Sequence, residues 1–414
     1  MLGNSAVYGE DHAAHGVKMF SNHYFTGLNA PYTSGGHCST LTEGDETFIF
    51  FHTRFKGVEH FKLKVHQMFA NEDGWMVVAP FGYKGSKISP QGYSDAEIIG
   101  MYEFIDHGSR IGEGTKVATP KTVMLLNNGK IKGAVSGRWT VNGKYVTFYI
   151  NDDVYKGVFF KQLNEKGEEV MTFSLVGGKN SAIWGIKANS GDYTAKTPAI
   201  EISFEDGLSQ METVKRNKGQ NPYAEKVDVT YEDGYKGKAI KMDGSFGLKS
   251  ENIPLSTDMT ISFMMKPYKL PTYSPIAAIT EDFIGNGKDK WFSLTTFTNG
   301  KDAVLWSRNA EKEQWLEGKS AVPFKIGQWQ HVLLVFDPEY YDGDENCISC
   351  RLYLDGLCIA AGSVTKAAFT DKSKLFFGIN PWDDCYTGLI DEVKIFYEAF
   401  NNVDAFAYYN HYSV

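Results

Sequence analysis

Apolar and polar positions alternate with a period of two along most of the chain, the spacing of strands with one face toward a core. Residues 47–55 (TFIFFHTRF) and 61–69 (FKLKVHQMF) alternate in this way, and Asn71-Glu72-Asp73-Gly74 supplies a turn before a short run at 75–78, which predicts three antiparallel strands. From about Gly100 to Lys187, short alternating runs are separated by hairpin signals at Asn127-Asn128-Gly129, Asn142-Gly143 and Asn151-Asp152-Asp153, the pattern of a small closed barrel. Val135, Trp139, Val146, Phe148, Val158, Phe160, Met171, Phe173 and Trp184 have the spacing to fill it. The polar, turn-prone stretch 187–196 (KANSGDYTAK) and the Thr-Pro that follows suit a domain boundary. Beyond it, 259–266, 329–336, 350–354, 374–379 and 389–397 read as strands of a two-sheet sandwich, and only the tail at 401–409 carries a helical pattern.

Length and composition sharpen this picture. The 414 residues exceed what one core usually holds, and 59 aromatic side chains (28 Phe, 23 Tyr, 8 Trp) with 42 glycines favour strands and tight turns over helical bundles. Forty-two basic against fifty acidic residues, a net charge of −8 with no basic run, argues against a nucleic-acid partner. No apolar stretch approaches the roughly 20 residues that span a bilayer, and the first ten residues lack the basic and apolar regions of an export signal. Eight of ten histidines fall in the first 107 residues, so that segment differs chemically from the rest. Cys347 and Cys350 have CxxC spacing, but there is neither the second pair a zinc ribbon needs nor the βαβ setting of a redox motif, so chance or a local staple with Cys358 or Cys385 is the reading.

Two resemblances then cover nearly the whole chain. Residues 198–400 resemble laminin-G-like, concanavalin-A-like jelly rolls, through Phe204-Glu205-Asp206-Gly207, Gly237-Lys238-Ala239, Thr260-Ile261-Ser262-Phe263, Trp329-Gln330-His331-Val332, Leu352-Tyr353-Leu354-Asp355-Gly356 and Gly388-Leu389-Ile390-Asp391-Glu392-Val393. Such domains often hold one structural calcium with acidic side chains near the first and last of these motifs, which the resemblance carries onto Asp206 and Asp391. Residues 10–187 resemble the C-terminal part of family 43 endo-arabinanases, whose five-bladed propeller is followed by a small β-barrel. The carrying residues are His15-Gly16-Val17-Lys18-Met19, Ser34-Gly35-Gly36-His37-Cys38-Ser39, Phe51-His52-Thr53-Arg54-Phe55 and Val65-His66-Gln67-Met68-Phe69, with Gly133-Ala134-Val135-Ser136-Gly137-Arg138-Trp139 and Ala182-Ile183-Trp184-Gly185 in the barrel. The resemblance implies that His37 stands at the propeller axis near a bound metal, commonly calcium, although Cys38 replaces the family's usual Asn. His52 and His66, inside strand patterns, are expected to have packing or supporting roles.

The expected architecture is therefore all-β in three parts: the C-terminal blades of a propeller (1–90), a small β-barrel (91–190) and a jelly roll (198–400). A family 43 enzyme needs an acid and a base about 6.5–9.5 Å apart, and in the family the catalytic carboxylates precede the His motif in chain order. Only Glu10 and Asp11 precede His37, in a stretch that matches the last blades, so no catalytic acid or base is assigned. Blades of about 40–50 residues allow at most about two in the first 90 positions. The resemblance implies part of a secreted, extracellular or cell-surface hydrolase of α-1,5-arabinan whose acids lie on a missing portion or on a separate N-terminal propeller chain. The alternative is a non-catalytic carbohydrate-binding protein that stacks sugars on Trp382 and Tyr386 of a jelly-roll loop.

Overall fold

The computed structural model describes residues 16–55, 58–109, 117–178, 180–188, 195–285, 289–309, 313–318, 323–338 and 345–412. Glu10, Asp11, His12, His15 and most of the expected linker at 187–196 lie outside them. The chain forms two compact units, 1–191 and 192–414.

The first unit begins with a four-stranded antiparallel sheet, Thr33–Glu43, Glu46–Phe55, Val58–Ala70 and Met76–Val78, in that order. The three expected strands are present, and Thr33–Glu43 is an additional edge strand. Its pairing with Glu46–Phe55 slips twice between Thr33 and Ser39, where Ser34 and His37 take positive φ (52° and 48°). A bulged outer strand of this kind resists edge-to-edge pairing. Gly100–Asp106, Lys121–Leu125, Lys130–Gly133, Gly137–Asn142, Tyr145–Ile150, Asp153–Leu163, Glu169–Gly177 and Ser181–Lys187 then run up and down into a closed antiparallel barrel, the last pairing with the first.

Phe173 plugs the barrel, its ring 4.9 Å from Phe148, 5.2 Å from Tyr102 and 5.9 Å from Phe159. Gly185 leaves room for it, since a Cβ there would overlap the Phe173 ring. Trp139, Val146, Phe148 and Met171 pack with it as their spacing suggested. Val158, Phe160 and Trp184 do not: they face out of the barrel, Val158 and Phe160 against Phe69 and Val77 and Trp184 against Phe25 and Phe51. The expectation failed because the sheet covers this side of the barrel. Strand Asp153–Leu163 is therefore apolar on both faces, and hydrophobicity alone does not show which parity points inward.

The second unit is a sandwich of two eight-stranded sheets. The central strands of one are Met259–Lys269, Gln330–Asp337 and Thr387–Phe396; those of the other are Lys374–Phe377, Pro275–Thr280 and Lys290–Thr296. Ile261, Phe263, Leu334, Phe336 and Ile395 meet Leu248, Phe292, Leu294, Leu305 and Phe377 in one core. The tail helix Asn402–Tyr412 lies on the outside of the first sheet, with Ala405 and Tyr408 against Leu333, Val335 and Phe396. Asn401 starts it, its side-chain oxygen accepting from the Val403 and Asp404 amides at 2.8 and 2.9 Å.

Candidate functional site

In the first unit, Ile49, Phe51 and Thr53 turn into the core, so Phe48, Phe50, His52 and Arg54 share the other face with Phe61, Leu63 and Val65 of the next strand. That face is open: Leu63 is 70% and Phe61 48% exposed. His37 stands exposed beside it, its Nδ1 3.3 Å from His52 Nδ1. The His52 ring lies 4.2 Å from that of Phe61, which also carries the Arg54 guanidinium. No cluster of three or more His, Cys, Asp or Glu side chains able to hold a metal exists among the described residues. Calcium prefers six to eight hard oxygens. Two imidazoles do not fit it unless oxygens come from elsewhere.

Behind this sheet three histidines are fully buried. His23 Nδ1 donates to the Ser21 carbonyl (2.8 Å) and His66 Nδ1 to the Ala79 carbonyl (2.7 Å), while His107 Nδ1 accepts from the Ser21 amide (3.1 Å). Burial pushes His23 down to about 4 and His66 to about 3, and holds His107 well below the ordinary range. They are neutral packing groups, His107 with its ring 4.4 Å from Trp184. Glu103 and Glu165, two carboxylates of this unit, are also committed to structure. Glu103 accepts from the Thr26 amide and hydroxyl, and Glu165 from the Asn29 amide, the Lys64 ammonium and the Tyr32 hydroxyl.

In the second unit Asp391 is fully buried, accepting from the Lys236 amide (3.1 Å), the Glu392 amide (2.7 Å) and the Tyr235 amide. Burial raises its carboxyl to about 6 despite those donors. Asp206 is exposed. The neighbouring Glu205 is the acid that reaches the same loop, accepting from the Lys238 amide at 2.7 Å. Asp391 and Glu205 therefore brace the 234–238 turn through amides, a role the motif spacing did not reveal.

Trp382 sits 39% exposed on a turn set by Asn380, whose side-chain oxygen accepts from the Trp382 and Asp383 amides. Its ring lies 5.1 Å from Trp291 and 5.9 Å from Phe283. Tyr386, expected beside it on the surface, is fully buried in the sandwich core. Its amide donates to the Gly378 carbonyl at 2.9 Å, tucking the chain inward after the exposed turn, so it offers no face to a sugar. All five cysteines are free thiols; four are buried and Cys38 is exposed, so the Cys347/Cys350 pair is not a staple.

Residues 80–185 match the C-terminal lipocalin-like domain of glycoside hydrolase family 43, and residues 241–404 match a laminin-G model of the concanavalin A-like lectin/glucanase superfamily. The chain thus joins a family 43 C-terminal domain to a concanavalin A-like domain. It is 38% identical over 187 residues to an extracellular endo-α-(1→5)-L-arabinanase of Thermotoga petrophila, a match covering 42% of this chain and 39% of the relative. It is 35% identical over 182 residues to extracellular endo-α-(1→5)-L-arabinanase 2 of Bacillus subtilis, covering 42% and 38%. A crystal structure of the Thermotoga petrophila endo-1,5-α-L-arabinanase aligns at a TM-score of 0.40 and 37% identity, over 43% of this chain and 41% of that one. The chain spans about two-fifths of the length of the curated relatives it matches.

Proposed function

We propose that this protein is part of a secreted arabinan-degrading hydrolase that cleaves α-1,5-linked arabinose chains with inversion, its acid and base supplied by propeller blades outside the described residues. Those blades belong either to the same polypeptide or to a separate N-terminal chain. The observation that carries this reading is the 38% identity over 187 residues to an extracellular endo-arabinanase. The open face bearing Phe61 and Leu63 supports it, because exposed apolar side chains on a sheet are a surface that a neighbouring blade would cover. Calcium belongs to the same reading: His37 would offer one imidazole nitrogen to an ion whose oxygens come from water and from the covering blades.

A second reading, a non-catalytic carbohydrate-binding protein, is favoured by the commitment of Glu103 and Glu165 to loop amides and hydroxyls, which leaves neither free for proton transfer. The test is release of reducing ends from linear and debranched arabinan, with calcium and with chelator. The purified chain is assayed alone and with the blade-bearing part of an arabinanase. Turnover only in the combined sample supports the proposal. Turnover by the chain alone, lost on His37→Ala, would mean that the acids reside in this chain. Retention on the polymer without turnover in either sample would favour the second reading.

A further inference from the structure

In a chain with a net charge of −8, residues 117–151 hold Lys121, Lys130, Lys132, Arg138 and Lys144 and no acidic side chain. These cations are scattered in sequence and form no run, but strand geometry gathers them. On Lys130–Gly133 and Gly137–Asn142, Ile131 and Trp139 turn into the barrel, so Lys130, Lys132, Arg138 and Thr140 point outward. Thr147 and Tyr149 do the same on Tyr145–Ile150, beside the inward Val146 and Phe148. The register sets Lys130 opposite Arg138, Arg138 opposite Tyr149, and Thr140 opposite Thr147, and Lys144 follows in the turn between the last two strands. At the usual rise per residue, the path from Lys132 past Lys130 and Arg138 to Lys144 is on the order of 20 Å long. Lys130, Lys132 and Arg138 are exposed and Lys144 is half-buried, and none of the four side chains has an ion-pair or hydrogen-bond partner among the described residues. Cations nearby are neutralised: Lys156 on the next strand bonds Glu72 and Asp73, Lys161 bonds Glu97, and Lys121 lies in the field of Asp106. Arg138 is held by a ring instead, its guanidinium carbon 3.7 Å from the Tyr149 centroid, and Lys144 Nζ lies 5.3 Å from the Tyr145 centroid. A guanidinium laid flat on a ring keeps its edge N–H donors open and already oriented for a planar anion.

We propose that this outward face of the barrel binds an acidic polysaccharide, one that carries carboxylates on its sugar rings, laid along the track from Lys132 to Lys144. Uncompensated like charges side by side make a field that an anionic chain relieves. The Arg138 fork and the Lys130 ammonium receive carboxylates, and the Thr140 and Thr147 hydroxyls in the gap before Lys144 meet neutral sugar hydroxyls, which both donate and accept. The spacing selects the ligand class. A nucleic-acid duplex presents one charge per about 1.7 Å, far denser than four cations along this track. A lipid surface calls for a continuous apolar face, which the two threonines and the cations interrupt. A uronate chain, with one charge to a ring and neutral hydroxyls between, matches both the spacing and the mixture. The site is built from the barrel's own side chains and does not rest on the reading of the protein as an arabinan hydrolase, whose polymer is neutral.

The test is isothermal titration of the full chain with polygalacturonate oligomers, beside the same oligomers with their carboxyls methyl-esterified, a DNA duplex and vesicles containing phosphatidylglycerol, with thermal unfolding of every variant. The carboxylate form should bind, more weakly as salt is raised, and esterification should abolish binding. Arg138→Gln should weaken binding about two- to fivefold, and Lys130→Gln, Lys132→Gln and Arg138→Gln combined roughly tenfold or more, with the unfolding midpoint unchanged. Arg138→Lys should recover only part of the loss, because an ammonium lacks the fork. Lys269→Gln, which removes an exposed charge of the second unit, should leave affinity unchanged and so separates the track from net charge. No binding of the carboxylate form, equal affinity for the esterified oligomers, or the same loss in Lys269→Gln as in Arg138→Gln would overturn the site. Tighter binding of DNA or of the vesicles, lost in the combined variant, would overturn the ligand class.

Discussion

Acidification should destabilise the first unit well before it affects the second. His23 and His66 titrate near 4 and 3 in the folded protein, against about 6.5 in an unfolded chain. Because their folded values are depressed, the unfolded state takes up protons first. The stability they allow is fully present above pH 6.5 and is lost as pH falls toward the folded values. Between pH 7 and 5 each costs about 2 kcal/mol, and the pair about 4 kcal/mol, a large fraction of a domain's usual stability. His107 acts in the same direction. Lys64, Lys18 and Glu165 are the charges that bear on these histidines, and Glu165, whose carboxyl is held below its ordinary value, acts only below about pH 4.5.

The second unit has one comparable group, His331 at about 3, worth a similar loss of about 2 kcal/mol. Asp391 opposes it. Its folded value near 6 lies above the ordinary 3.8, so the folded state binds a proton that the unfolded state does not, and acidification from pH 7 to 5 returns about 1 kcal/mol. Amide hydrogen exchange at pH 7, 6 and 5, corrected for intrinsic rates and read peptide by peptide, separates the units. Peptides of Gly100–Asp106 and Glu46–Phe55 should lose protection steeply, whereas those of Met259–Lys269 should lose little. His66→Gln should flatten the first unit's dependence by up to about 1.4 kcal/mol per pH unit, one proton's worth. Equal loss in both units, or no loss in the first, would refute the reasoning.

Gly185→Ala should displace the Phe173 plug and cost about 1–3 kcal/mol, read as a lower unfolding midpoint of the first unit. Asp391→Ala should cost about 2–4 kcal/mol and raise exchange at the Tyr235 and Lys236 amides, whereas Asp206→Ala should stay within about 0.5 kcal/mol of the parent. Leu63→Asp should also leave stability within about 0.5 kcal/mol, because the side chain is mostly exposed, yet abolish any association of the chain with arabinanase blades in a pull-down.

The strand content and the closed barrel were legible because both rest on local signals. Asn-Gly turns fix hairpins, and an up-and-down meander joins each strand to its sequence neighbour. Parity was legible only where one face meets water. In Tyr145–Ile150 the alternation is clean and Val146 and Phe148 point inward as read. In Asp153–Leu163, packed on both sides, alternation does not tell Phe159, which faces in, from Phe160, which faces out. The surface position expected for Tyr386 failed for a related reason. Motif spacing placed Tyr386 on the right loop, but which side chain of a loop faces solvent depends on one backbone turn. Tyr386 turns inward four residues after the partly exposed Trp382.

The same limit hides the polar face of strand Lys290–Thr296 from the sequence. KWFSLTT reads as a strand buried on both faces, and so it is. Only the pairing register shows that Trp291 Nε1, Ser293 Oγ and Thr295 Oγ1, buried without a hydrogen-bond partner among the described residues, lie on one side and the core side chains Phe292 and Leu294 on the other. A strand whose outward face is both buried and polar is costly to the fold alone. Ser293→Ala should therefore leave the unfolding midpoint of the second unit unchanged or raise it, and a clear fall in the midpoint would refute the reading of that hydroxyl as unsatisfied.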